Sequence, residues 1–122
     1  MNDTPHAQLA DWTRGEAGIA LQGCTACGHA WYFRREFCPA CGAGSPRSMP
    51  AAGGGTVAAL TLVHRAPDDA FRAEVPYALV LVELDEGVRV MAHGNPDLVI
   101  GDAVQVSFRL IAGRLLPHFS RA

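Results

Sequence analysis

The chain has 122 residues, 49% of them hydrophobic, and a formal net charge of −2 at pH 7; its ten basic residues are all Arg. That length carries one modest core or two small modules. No apolar run approaches the ~20 residues of a membrane-spanning helix, no basic balance marks a nucleic-acid module, and residues 1–20 lack the basic head and apolar run of a signal peptide, so a cytoplasmic protein with no membrane and no nucleic-acid partner is expected.

Thr4-Pro5 has the form of an N-cap followed by proline at the first helical position. It predicts a short helix over about residues 5–14, carrying Leu9 and Trp12 and ending near Gly15. A first strand is expected over Gly18–Gln22.

The next segment holds every cysteine of the chain, in two pairs: Cys24-x-x-Cys27-Gly28 and Cys38-Pro39-x-Cys41-Gly42. A C-x-x-C turn brings two sulfurs together, and the glycine behind it lets the backbone turn away with positive φ. Two such knuckles place four thiolates at tetrahedral corners, about 2.3 Å from one Zn²⁺. Iron in the same cage is one alternative. Disulfides are another, though they suit short secreted chains. A redox C-x-x-C needs one motif in a βαβ unit, not two knuckles. Structural zinc is the preferred reading, because a four-thiolate shell leaves no open coordination position. His29, just behind the first knuckle, is expected outside that shell.

Ala43–Ala52 has Gly, Ser and Pro without periodicity and reads as a connector. Gly53-Gly54-Gly55 lacks the Gly-Lys-Ser/Thr ending of a phosphate loop and reads as a lead into the next strand. From there the pattern is β. Strands are expected at Thr56–Arg65, at Tyr77–Leu84 (nearly all apolar, hence buried on both faces), at Val88–His93 after an Asp85-Glu86-Gly87 turn, at Ala103–Leu110 and at Arg114–Phe119. Five strands in so short a stretch fit a small antiparallel barrel of the OB type. The segment between the third and fourth of them is too short for the helix often found there.

At this point the chain resembles a known family: bacterial and archaeal proteins with a rubredoxin-like zinc ribbon followed by an acyl-CoA-associated OB-fold (domain of unknown function thirty-five). The matching stretches are Leu21-Gln22-Gly23-Cys24, Cys27-Gly28-His29 and Cys38-Pro39-Ala40-Cys41-Gly42, then Gly55-Thr56-Val57, Thr61-Leu62-Val63-His64-Arg65 and Pro76-Tyr77. Val82-Glu83-Leu84-Asp85-Glu86-Gly87, Gly101-Asp102-Ala103-Val104, Phe108 and Leu116-Pro117-x-Phe119 complete the set. The resemblance implies a mainly β chain with an N-terminal helix at 1–17, a rubredoxin-like ribbon at 18–48 and a five-stranded OB-type domain at 53–122. It also implies a protein that is not itself an enzyme. Such proteins bridge thiolase-like, ketosynthase-like or MaoC-like hydratase enzymes, or help to hold the CoA portion of an acyl-CoA, and homo- or hetero-oligomers are compatible with that role. One departure stands out. The family often has a Pro-Pro pair with a nearby Arg between the knuckles; here the stretch is Trp31-Tyr32-Phe33-Arg34-Arg35-Glu36, which keeps the Arg as Arg35 and replaces both prolines.

Arg34, Arg35 and Arg65 are the candidate CoA-phosphate contacts, since guanidiniums recognise phosphate well; the plainer reading leaves them solvated. Trp31, Tyr32 and Phe33 suit either an adenine or the packing that small ribbons need. No activated nucleophile or general-base motif is visible, so no catalytic residue is assigned. The alternative function is a single-stranded nucleic-acid module, which would need a basic groove with stacking aromatics.

Overall fold

The computed structural model describes residues 8–65, 69, 72, 75–111 and 113–122. The expected cap at Thr4-Pro5 lies outside them. In its described part, the expected N-terminal helix gives way to 3-10 structure, with one such turn at Trp12–Arg14. The chain turns back there for local reasons. The Asp11 carbonyl accepts from Arg14 N at 3.0 Å and from Glu16 N at 3.1 Å, and Trp12 N donates to Gly18 O at 2.8 Å. These bonds close a loop that a continuing helix would break. Gly15 ends the turn at φ 81°, a conformation glycine adopts without penalty.

Strands β1 (Ala20–Gly23), β2 (Ala30–Trp31) and β3 (Arg47–Pro50) form an antiparallel sheet in the order β2-β1-β3. The stretch expected to be a connector therefore contains a strand. Leu21 pairs with Met49 and Gly23 with Arg47. The connecting chain carries the knuckles and leaves the sheet between its strands.

Strands β4 (Gly54–Val63), β5 (Tyr77–Leu84), β6 (Arg89–Gly94), β7 (Ala103–Ile111) and β8 (Arg114–Arg121) close a barrel in the order β4-β5-β6-β8-β7. The neighbours are antiparallel except β6 and β8, which run parallel with His93 beside His118. That order is the OB arrangement. Strand β5 was expected to be buried on both faces; it alternates instead, with Ala78, Val80, Val82 and Leu84 buried, Leu79 and Leu81 half-buried and Glu83 exposed. The period-2 pleat aims every second side chain at the barrel interior.

The core joins both sheets. Ile19 and Leu21 pack with Val57, Val80, Val82, Val90, Val104 and Phe119 in one buried cluster. Each such side chain contributes about 1.5–3 kcal/mol when fully buried. The ribbon sheet thus seats on the barrel, at the end where Ala51 N donates to Ile19 O (2.9 Å) and Ala52 N to Glu86 Oε2 (2.8 Å). Among the described residues no helix is long and apolar enough to cross a membrane.

Candidate metal centre and its flanking surface

The two knuckles are built alike. Cys24 N donates to His29 O (2.8 Å) and Gly28 N to Cys24 O (3.0 Å); Cys38 N donates to Ala43 O (2.9 Å) and Gly42 N to Cys38 O (2.9 Å). Gly28 and Gly42 sit at φ 79° and 81°. Inside each turn the first sulfur receives backbone N–H groups: Ala26 and Cys27 at 3.3 and 3.4 Å from Cys24 Sγ, Ala40 and Cys41 at 3.3 and 3.4 Å from Cys38 Sγ.

The four sulfurs of Cys24, Cys27, Cys38 and Cys41 lie within 4.8 Å of one another. Cys24 Sγ is 3.5 Å from Cys41 Sγ, and Cys27 Sγ is 3.6 Å from Cys38 Sγ. A disulfide needs about 2.05 Å, so the paired-disulfide alternative does not describe this arrangement. A tetrahedron with metal–sulfur bonds of about 2.3 Å has edges of about 3.8 Å, close to these separations. Cys24 and Cys38 are buried, and Cys27 and Cys41 face outward. The N–H of Cys27 holds the Cys24 thiol down to about 6 against the opposing effect of burial. Burial works against the Cys38 thiol too, but the N–H groups of Cys41 and Ala40 lower it. The outer pair goes the other way. The His29 N–H lowers Cys27, yet burial and the neighbouring sulfurs push it up to about 12; Cys41 is raised, with the Ala43 N–H opposing and the Cys24 sulfur driving the rise. The backbone N–H groups thus favour the thiolate on the inner sulfurs, while the outer ones are pushed toward the thiol. The donor set fits a metal ion, and His29 keeps to the outside, its ring stacked on Trp31 at 5.8 Å.

The hairpin between the knuckles is pinned by a residue that motif reading passes over. Gln22 Oε1 accepts from Trp31 Nε1 (2.8 Å) and from Arg35 N (2.6 Å). Trp12 Nε1 donates to the Tyr32 hydroxyl. Burial pushes the Tyr32 phenol up, the Trp12 N–H opposes this, and the charge of Asp11 adds to it. Arg34 and Arg35 are exposed on this hairpin. Arg34 lines a cavity of about 220 Å³ with Asp11, Thr13, Arg14, Tyr32 and Phe33. Arg65 is also exposed, but it lies two residues beyond the far end of β4. The structure groups Arg34 with Arg14 and Asp11, and leaves Arg65 outside that cavity.

Comparison with known proteins agrees with this architecture. Residues 49–109 match the family model described as ChsH2, C-terminal OB-fold domain. The chain is 33% identical over 93 residues to a DUF35 domain-containing scaffold protein of Methanocaldococcus jannaschii, covering 72% of this chain and 65% of that one. It is 32% identical to the scaffold protein of the same description in Methanothermobacter thermautotrophicus, covering 69% of its length. A probable enoyl-CoA hydratase alpha subunit of Thermomonospora curvata is 36% identical over 75 residues, but those make up only 23% of it. Among solved structures, a chain of the Ltp2-ChsH2(DUF35) aldolase superposes with a TM-score of 0.72 at 31% identity, over 85% of this chain and 84% of that one. A DUF35 protein of unknown function from Sulfolobus solfataricus shares the fold at 12% identity, with a TM-score of 0.63. By its barrel, its ribbon and these similarities, the chain belongs to the DUF35 family of OB-fold proteins.

Proposed function

We propose that this chain is a non-catalytic scaffold subunit that serves an acyl-CoA enzyme of the thiolase-like, ketosynthase-like or hydratase class. The observation that carries the reading is the match, over most of both chains, to the DUF35 component of an aldolase; the scaffold proteins among its relatives support it. The four cysteines support one structural zinc per chain, since a closed thiolate shell offers substrate no coordination position. The zinc would hold the hairpin and supply no chemistry to a reaction. Arg34, Arg35 and Arg65 are proposed as contacts for CoA phosphates, Arg34 and Arg35 on the ribbon hairpin and Arg65 just beyond β4. A single-stranded nucleic-acid role has less in its favour: of the described barrel aromatics, Tyr77 and Phe119 are buried and Phe108 is half-buried against the core, which leaves no row of stacking faces.

The test is purification of the tagged chain from its native host, with mass spectrometry of what accompanies it. An acyl-CoA enzyme subunit at fixed stoichiometry is the expected result. Recovery of the chain alone, or with nucleic acid, overturns the reading. For the arginines, CoA is titrated calorimetrically into the chain with its partner enzyme; unchanged affinity in both Arg35→Ala and Arg65→Ala at low salt returns these residues to plain solvation.

A further inference from the structure

We propose that the outer edge of β4 is a self-association surface, on which a second copy of this chain pairs antiparallel about a two-fold axis at Thr61. The first observation is an unfinished ladder. On one side β4 pairs with β5 from Gly55 to Val63. On the other, β7 covers only Gly54, Gly55 and Thr56. Val57 then exchanges bonds with the loop between β6 and β7, Val57 N donating to Asp102 O (3.0 Å) and Gly101 N to Val57 O (2.9 Å). From Ala59 to Val63, no strand or loop bond among the described residues occupies that side. Soluble proteins shield such edges with Lys, Pro, an inward charge or short length. Gly54–Val63 holds no charged residue and no proline. Its bulge, between Val57 and Ala59, comes before the open stretch.

The second observation is that the open stretch complements itself. Pairing about Thr61 sets Thr61 against Thr61, Leu60 against Leu62 and Ala59 against Val63. Residues directly opposite in an antiparallel pair share a face. Leu60 packs on the barrel core, whereas Leu62, on the same face, is 41% exposed. The two-fold lays each Leu62 beside the other copy's Leu60 and continues that core across the axis. The Thr–Thr and Ala–Val pairs fall on the opposite face, with no charge to repel. An unrelated peptide would find the same backbone groups, but a second copy brings Leu62 to Leu60 twice by symmetry. The loop bonded to Val57 adds apolar surface at the start of the edge: Val99 and Ile100 are 57% and 67% exposed. That loop is held by Val99 N on Asp102 Oδ2 (2.9 Å) and by Asp102 on Arg121 (3.1 Å). So short a ladder suits a weak dimer, with Kd on the order of 10 µM. Under the scaffold reading, the dimer carries two ribbons and gathers two enzyme subunits; the pairing itself does not depend on that reading.

The experiment is sedimentation equilibrium of the full chain as purified, with a thiol reductant that excludes disulfide dimers, over about 1–500 µM. The wild type should move from 12.9 kDa toward twice that mass as concentration rises. Thr61→Lys brings two like charges together at the axis and should weaken the dimer by about tenfold or more. Thr61→Val, uncharged and suited to a strand, should keep it. Leu110→Lys, at a 74% exposed residue of β7, should change nothing. Near-UV circular dichroism checks that each variant is folded; should Thr61→Lys fail that check, Leu62→Lys at the next exposed position carries the same test. A wild type that stays at the monomer mass throughout, a dimer equally tight in the edge lysine variant, or one lost equally in Leu110→Lys would overturn the proposal. Dimerisation by a chain that captures no acyl-CoA enzyme sinks the scaffold reading and leaves the edge. Capture by a chain that stays monomeric on its own sinks the edge pairing alone.

Discussion

The indole N–H of Trp31 donates to the side-chain oxygen of Gln22 at 2.8 Å, with both residues buried. The same oxygen accepts from Arg35 N at 2.6 Å. One amide thus ties β1 to β2 and fixes the hairpin that presents Tyr32, Phe33 and Arg34.

Replacing Gln22 with Leu should leave the Trp31 N–H buried without an acceptor, at a cost of about 1–3 kcal/mol. Gln22→Glu keeps the acceptor and should cost less than Gln22→Leu. Urea unfolding checks this: the midpoint should fall in Gln22→Leu with the slope unchanged. An unaltered midpoint would mean that the hairpin is held by the knuckles alone.

Cys38→Ser should abolish metal retention and unfold the ribbon, because the folding free energy of so small a module is metal-binding free energy. The barrel should weaken with it, since Ile19 and Leu21 beside the ribbon share its core. Elemental analysis should find one zinc per wild-type chain and none in the variant. Wild-type protein prepared without chelator that contains neither zinc nor iron would refute the metal assignment.

Metal uptake at pH 7 should release protons. Cys27, pushed up to about 12, and Cys41, also raised, are both protonated in the metal-free chain at that pH, and the metal needs all four sulfurs as thiolates. About two protons per ion is the expected count from that outer pair, read with an indicator dye in weak buffer. The sign follows directly: lowering pH favours the protonated thiols and loosens the metal. Uptake without proton release would show that the outer sulfurs do not ligate.

Gly55→Ala should destabilise the barrel. A Cβ there would stand 2.5 Å from Glu83 O and 2.7 Å from Val82 Cγ1, where β4 meets the end of β5. Backbone cannot yield as a side-chain tip does, so overpacking of about 1–3 kcal/mol is expected. Thermal unfolding measures it, with Gly87→Ala as a contrast: that glycine has open space around it but sits at φ 83°, so any cost there comes from backbone strain rather than from packing.

The knuckles and the barrel strands could be read from local spacing alone. C-x-x-C-Gly states its own turn, its sulfur pair and its positive φ, because all of its hydrogen bonds close within six residues. The barrel strands announce themselves by alternation, since each must bury one face. Strand β3 carries no such mark: Arg47-Ser48-Met49-Pro50 is half-buried to exposed throughout and is a strand only because β1, more than twenty residues earlier, supplies its partners. The N-terminal cap pattern met the same limit, as bonds from Trp12 to Gly18 and from Glu16 to Asp11 turned the chain back after a single turn. Arg34 and Arg65 look equivalent as isolated cations, and only the folded chain gives Arg34 a place in the cavity beside Asp11 and leaves Arg65 outside it. Short-range geometry is written in the order of residues, whereas burial and distance depend on which segments far apart in the chain share hydrogen bonds and a core.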